Sequence, residues 1–394
     1  MSYETLLKVY RKYGKEEYKK QCLIRTQSPA TCRLPLSISI GGEEKELFFI
    51  STLDMMQIRN HITALNAELE EVLFQLPRVA IEQYKFNCLI REILKTNEIE
   101  GVRSTKAEIK DAIIGQEERK KRFEGLAKKY VILEAEDENQ IPLRVSQDIR
   151  SLYDEIVLDE IEEDEHPDGE VFRKSSVDVY SSTQKVLHRG AFPESNIINK
   201  MDSALEFLNH GECDSLIKIA IFHYYFGYIH PFYDGNGRVS RFISSYLISK
   251  TLNPLVSFNL SLIIKENIKR YYQGFIDCNE KMNIGDITPF CIMFLSLIEK
   301  SLCEVVDELK EKAEILNQCH SILGMHEDIE ILEKKILYIL MQVEIFDGDE
   351  IDFKELFKVM NSARDESISE STLRKYINSV EKKGYLQKTK VGKK

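Results

Sequence analysis

No stretch of this sequence is apolar for long enough to cross a membrane. The richest run, Pro289 to Ile298, is about ten residues, half of what a span needs. The apolar core segment of a secretory signal is missing as well: Met1 to Lys20 is polar and charged, and the expectation is a cytoplasmic protein without membrane contact. The eight cysteines (Cys22, Cys32, Cys88, Cys213, Cys278, Cys291, Cys303 and Cys319) include no Cys-x-x-Cys pair. That argues against metal and disulfide roles and leaves reduced core thiols. Internal repeats and low-complexity runs are absent. The net charge of −11 argues against nucleic-acid binding by the chain as a whole.

What is present is an ordinary globular composition, 43% hydrophobic and 30% charged over 394 residues, enough for two or three domains. The charge is uneven. Residues 155–170 hold nine acids, and residues 371–394 hold eight Lys/Arg against one acid, Glu381. Helical spacing dominates, so the expected class is mainly α. A helix is expected over Glu4 to Lys20. A hairpin follows, Arg33 to Ile40 and Glu46 to Ile50 around Gly41-Gly42. Leu53 to Leu94 reads as helix broken near Pro77, and Thr105 to Glu124 and Ser146 to Ile161 as further helices. A short hairpin is expected within Val171 to Arg189. From Ile197 the helices run Ile197–Asn209, Asp214–Ile229, Asn236–Lys250, Leu260–Asn279 and Asp286–Gln318, with a boundary near Ser321 to Glu327. Three helices then precede Gly384 and a short strand, the order of a winged helix. The expected domains are residues 1–95, 96–320 and 326–394.

The informative segment is His230-Pro231-Phe232-Tyr233-Asp234-Gly235-Asn236-Gly237-Arg238-Val239-Ser240-Arg241. It joins two apolar helical patterns, so it is a loop running into a helix N-terminus, where unpaired backbone N–H groups and the dipole favour an anion. Gly235 and Gly237 permit positive φ and close approach of backbone to ligand. Arg238 and Arg241, three apart, put two guanidinium forks beside that nest. Asp234 is a hard oxygen ligand suited to Mg²⁺ held jointly with a polyphosphate. His230 can accept a proton from an attacking hydroxyl. Base, metal ligand, anion nest and phosphate clamps thus come from one segment.

HPFYDGNGRVSR resembles the Fic family signature, HxFx(D/E)GNGRxxR, at every fixed position. The resemblance covers about Thr96 to Asn279. It implies a helical enzyme that transfers AMP from ATP to a Ser, Thr or Tyr hydroxyl of a target protein, with His230 as base and Asp234 on Mg²⁺. It also implies Gly235, Asn236, Gly237 and Arg238 on the phosphates, Arg241 on the γ phosphate, and Phe232 as core anchor. Upstream, Thr96-Asn97-Glu98-Ile99-Glu100-Gly101 is similar to the family's (S/T)xxxE(G/N) inhibitory helix, which would set Glu100 against Arg241. Val186-Leu187-His188-Arg189 lies where the family has its flap over nucleotide and target. An ordinary surface hairpin is an equal reading of the residues alone. Tyr271, Tyr272 and Asn279 resemble family positions near the adenosine, where a bare reading gives helix packing.

Other features carry less. His223 lies on an apolar helix face and reads as a core histidine. Asp347-Gly348-Asp349-Glu350 lacks calcium-loop spacing and reads as a turn. Arg374, Lys375, Lys382, Lys383, Lys388 and Lys390 could meet DNA phosphates or a protein if the winged helix is real. The expected partners are ATP and a hydroxyl-bearing target protein, with self-modification included and a homodimer left open. Rival readings are removal of AMP or transfer of another nucleotide by the same site, and a DNA-binding regulator with a sensor core. Gly237, where the phosphate-transferring branch has Lys, argues against that branch.

Overall fold

Helices take up most of the chain. The computed structural model describes residues 3–115, 122–133, 141–180, 186–346, 351–362 and 367–389. The turn read at Asp347 to Glu350 and the basic residue Lys390 lie outside them, as do the side chains of Val186 and Leu187. In chain order the helices are α1 (Leu6–Gln27), α2 (Leu53–Gln75), α3 (Arg78–Ile99), α4 (Lys106–Ile114), α5 (Glu124–Ile132), α6 (Ser146–Ile156), α7 (Glu194–His210), α8 (Ser215–Ile229), α9 (Asn236–Ser249), α10 (Pro254–Ser257), α11 (Leu260–Glu266), α12 (Ile268–Asn279), α13 (Thr288–Met325), α14 (Ile331–Phe346), α15 (Phe353–Ser362) and α16 (Glu370–Lys382). Two antiparallel hairpins complete the set: β1 (Thr31–Ile40) with β2 (Glu43–Ile50), and β3 (Asp178–Tyr180) with β4 (Val186–Arg189).

Several boundaries differ from the spacing-based expectation, each for a local reason. Thr105 to Glu124 is not one helix. A Thr105–Glu108 capping box starts α4, and Gly115 stops it in the left-handed region at φ 60°. Leu260 to Asn279 is likewise divided, at Asn267 (φ −107°, ψ 24°). The helix α13 runs past the boundary expected at Ser321, to Met325. The strand expected after Gly384 does not form over residues 385–389, so among the described residues the C-terminal segment is three helices without a wing. Core thiols hold for Cys88, Cys278 and Cys291. Cys32 is exposed and the other four are half-buried, all of them unbridged. No helix of the described residues is long and apolar enough to cross a membrane.

The chain divides into two compact units, residues 1–67 with 89–305, and residues 68–88 with 306–394. In the first, Gly41 (φ 61°) and Gly42 (φ 86°) make the two-residue turn that joins β1 to β2, with Ile40 opposite Glu43. Asp286, fully buried, ties the chain start to the helical core through Arg25 at 3.1 Å and the Tyr3 hydroxyl at 2.5 Å. The helix α8 is buried on every side, the behaviour of a helix that is apolar all round. In the second unit Ile336, Leu356, Met360 and Leu373 form a small core among α14, α15 and α16. Several of its basic residues are engaged locally. Lys383 pairs with Glu333 at 2.6 Å, Lys388 with Glu381 at 2.7 Å, and the Arg374 guanidinium lies 3.9 Å from the centroid of the Phe353 ring.

α5 and α6 meet so closely that a β-carbon on Gly125 would lie 1.8 Å from the Glu155 carbonyl oxygen. Gly125→Ala is expected to lower stability by about 1–3 kcal/mol, the usual cost of overpacking. Urea unfolding measures this; an unchanged midpoint would mean that α5 and α6 are not in contact there.

Candidate active site

The loop between α8 and α9 is held from inside. α8 ends on His230 in a left-handed conformation (φ 50°, ψ 65°), uncommon for a residue with a side chain. Phe232 is wholly buried, stacked on Tyr153 with centroids 3.8 Å apart and edge-on to Phe172 at 5.4 Å. Asn236 closes the loop on itself. Its Oδ1 accepts from the Phe232 N–H at 3.0 Å, and its Nδ2 donates to the Phe232 carbonyl at 2.8 Å. The Asn236 side chain is therefore a brace for the loop at the first residue of α9. Gly235 takes positive φ (78°) as its position requires. Gly237 does not: it is already helical. What position 237 requires is space, since a β-carbon there would lie 2.1 Å from Glu100 Oε1.

The two arginines of α9 turn to different partners. Arg241, 1% exposed, pairs with Glu100 Oε1 at 2.8 Å, and it donates to Thr96 through Nε to Oγ1 (2.8 Å) and NH2 to the carbonyl (3.0 Å). Glu100 and Thr96 thus come from the end of α3 onto one guanidinium, and Gly101 (φ 75°) ends the helix there. Arg238, as deeply buried, pairs with Glu160 at 2.8 Å, and its Nε has no acceptor. Glu160 was hidden in the sequence, where it is one of nine acids in residues 155–170. Burial pushes its carboxyl pKa up while the Arg238 charge opposes that.

Asp234 is half-buried and has no hydrogen-bond or ion-pair partner among the described residues. His230 is partly open to solvent. Burial, then the neighbouring His188 and Arg173, hold its pKa well below the ordinary imidazole value, so the ring is neutral near pH 7. His188 faces inward from β4. Its Nε2 lies 3.0 Å from the Tyr228 carbonyl, its Nδ1 3.4 Å from Asn279 Nδ2, and its ring stacks on Tyr228. A donating Nε2 and an accepting Nδ1 satisfy both contacts with one tautomer. Arg189 crosses the hairpin to Asp178 at 3.0 Å.

Of the expected adenosine residues, Tyr271 is core. Its hydroxyl meets His223 Nε2 at 2.7 Å, and its ring packs edge-on to Phe275. Tyr272 is half-buried and lies in the field of Glu100 and Arg241. Asn279 accepts from the Tyr224 hydroxyl at 2.7 Å. Arg173, which the sequence reading passed over, is wholly buried against the His230 backbone. No motif marks it.

Residues 143–248 match the Fic/DOC family. Over 99 residues, 24% of this chain, the sequence is 35% identical to the protein adenylyltransferase Fic of Drosophila grimshawi, and over 83 residues, 21% of the chain, 37% identical to that of Drosophila melanogaster. The alignments span under a fifth of those relatives, 19% and 15% of their length. A Fic family protein from Desulfovibrio desulfuricans G20 has a similar fold, with a TM-score of 0.50 and 19% identity over 82% of this chain and 89% of that one.

His223, 1% exposed, is the core histidine its helix face suggested, and burial lowers its pKa to about 3. The unfolded chain protonates this residue near pH 6.5 and the folded chain does not. Stability is therefore full above that pH and falls as acid is added, by about 2 kcal/mol between pH 7 and pH 5. Urea titrations of wild type and His223→Gln at both pH values are expected to show a smaller acid loss in the variant. Equal losses would place the acid sensitivity elsewhere.

Proposed function

From a chain that carries a Fic domain, we propose a protein adenylyltransferase that moves AMP from ATP to a Ser, Thr or Tyr hydroxyl and is restrained by its own Glu100. The observation that carries this reading is the composition of one short segment. A neutral, partly open imidazole, an unpartnered carboxylate and the first turn of α9 adjoin one another between His230 and Arg241.

ATP phosphates would lie against the first-turn amides of α9, where the helix offers unpaired N–H groups and a positive dipole end. His230 accepts the proton of the target hydroxyl as its oxygen bonds to the α phosphorus; the bond to the bridging oxygen breaks and pyrophosphate leaves. The free, half-buried Asp234 carboxylate fits Mg²⁺, a cation that takes one or two carboxylates together with phosphate oxygens; it would neutralise charge on the departing phosphates. Arg241 would meet the γ phosphate once Glu100 yields it. Until then the γ phosphate faces a carboxylate rather than a guanidinium, and the nucleotide sits out of line for attack.

ATP labelled at α or at γ separates the chemistries. Label from the α position alone on a protein substrate, or on the chain itself, is the expected result. Label from γ would instead mean phosphate transfer. His230→Ala is expected to keep ATP binding and lose about 10²–10⁴ in rate, and wild-type single turnover in that variant would sink the assignment of the base.

Glu100→Gly and Glu100→Ala are both expected to raise incorporation of α label roughly ten- to hundredfold, the worth of one charge-assisted hydrogen bond returned to the nucleotide. Each leaves Arg241 buried without its carboxylate, so the melting temperature is expected to fall without nucleotide and to recover with it. Activation by Gly alone would point to loosening of α3; wild-type incorporation in both would remove the restraint from the reading.

A further inference from the structure

Arg173 is buried without a carboxylate partner among the described residues. Its charge is met by four main-chain oxygens. Nε donates to the His230 carbonyl at 2.9 Å, NH1 to Ser175 at 2.6 Å, and NH2 to Ala191 at 2.9 Å and Ile229 at 3.4 Å. A buried cation normally demands an anion. Here the acceptors include the last carbonyls of α8, the negative end of the helix dipole. The other two acceptors flank the β3–β4 hairpin, one on each side. Backbone bonds run alongside: the Arg173 N–H donates to Pro231 O at 3.3 Å and the Ala191 N–H to Ile229 O at 3.0 Å.

We infer that Arg173 is the positioning residue of His230, locking the backbone of the α8–α9 loop to the base of the β3–β4 hairpin. The inference rests on the transferase reading for what His230 does, but its geometry stands without it. His230 holds a left-handed φ, a strained conformation that persists only where its surroundings enforce it. Its carbonyl is one of the atoms that Arg173 grips, and the orientation of that peptide sets where the imidazole points. The planar fork of arginine serves several fixed acceptors at once, whereas a lysine ammonium offers a single point.

Gly190 supplies an independent handle. A β-carbon there would lie 2.5 Å from Arg173 NH2, 3.2 Å from Ile229 O and 3.3 Å from His230 Cβ. Gly190 is not among the residues at positive φ, so alanine displaces the guanidinium without removing its charge.

The test uses Arg173→Lys and Gly190→Ala in the full chain carrying Glu100→Gly. Both are expected to lower kcat about 10²-fold, the scale of a misplaced catalytic group, with KM for ATP and calorimetric ATP affinity unchanged. In parallel, the His230 imidazole nitrogen resonances, assigned by difference against His230→Ala, are expected to shift in both. If Arg173→Lys does not fold, Gly190→Ala decides alone. Unshifted resonances overturn the inference whatever the rates, and so does parental kcat in an active background. A parent that transfers no label would defeat the transferase reading only. Shifted resonances would still sustain the positioning role.

Discussion

A guanidinium cannot be buried without a partner, and Arg241 meets that requirement by joining α9 to the end of α3. At 1% exposure it draws Glu100 and Thr96 onto one face of α9. The end of α3 is thereby fixed against the start of α9. Removing one member of a buried pair commonly costs about 3–5 kcal/mol. The contact is therefore both a fastening of the fold and the occupant of a place that a phosphate would need. Arg238 repeats the arrangement with Glu160. α9 thus has each of its arginines neutralised by a carboxylate from elsewhere in the chain.

The loop from His230 to Arg241 was legible because its chemistry is local. Spacing, glycines and helix-end logic all fall within one short segment. Glu100 was legible only through a pattern, and its distance to Arg241 had to come from the fold. Glu160 and Arg173 were not legible at all. Glu160 lies among acids that mostly face water, so composition hides it. Arg173 binds carbonyl oxygens, which every residue possesses, and no side-chain code can announce such a partner. Asn236 shows the opposite limit: its position in the motif was clear, but its side chain turns back to Phe232. The helices were largely readable by period. The breaks at Gly115 and Asn267 were not, because a backbone turn of one residue leaves the apolar spacing on either side intact.

The two histidines next to this helix show how surroundings assign roles to identical side chains. His223 is enclosed, with both ring nitrogens answered by hydroxyls of Ser244 and Tyr271, and it works as packing. His230 keeps one side open and is held by its backbone instead. A neutral ring in the first setting has no spare lone pair to offer. In the second it has.

The missing β-carbon at Gly237 has a consequence for how this sequence can drift. Any larger residue at 237 would collide with the Glu100 carboxylate, whose Oε1 lies 2.1 Å from the place a β-carbon would take. Arg241 NH1 lies 2.8 Å from the same place, so loss of Glu100 alone would leave the position crowded. A side chain added at 237 would thus bear directly on the Glu100–Arg241 pair, which ties two positions far apart in the chain and adjacent in space.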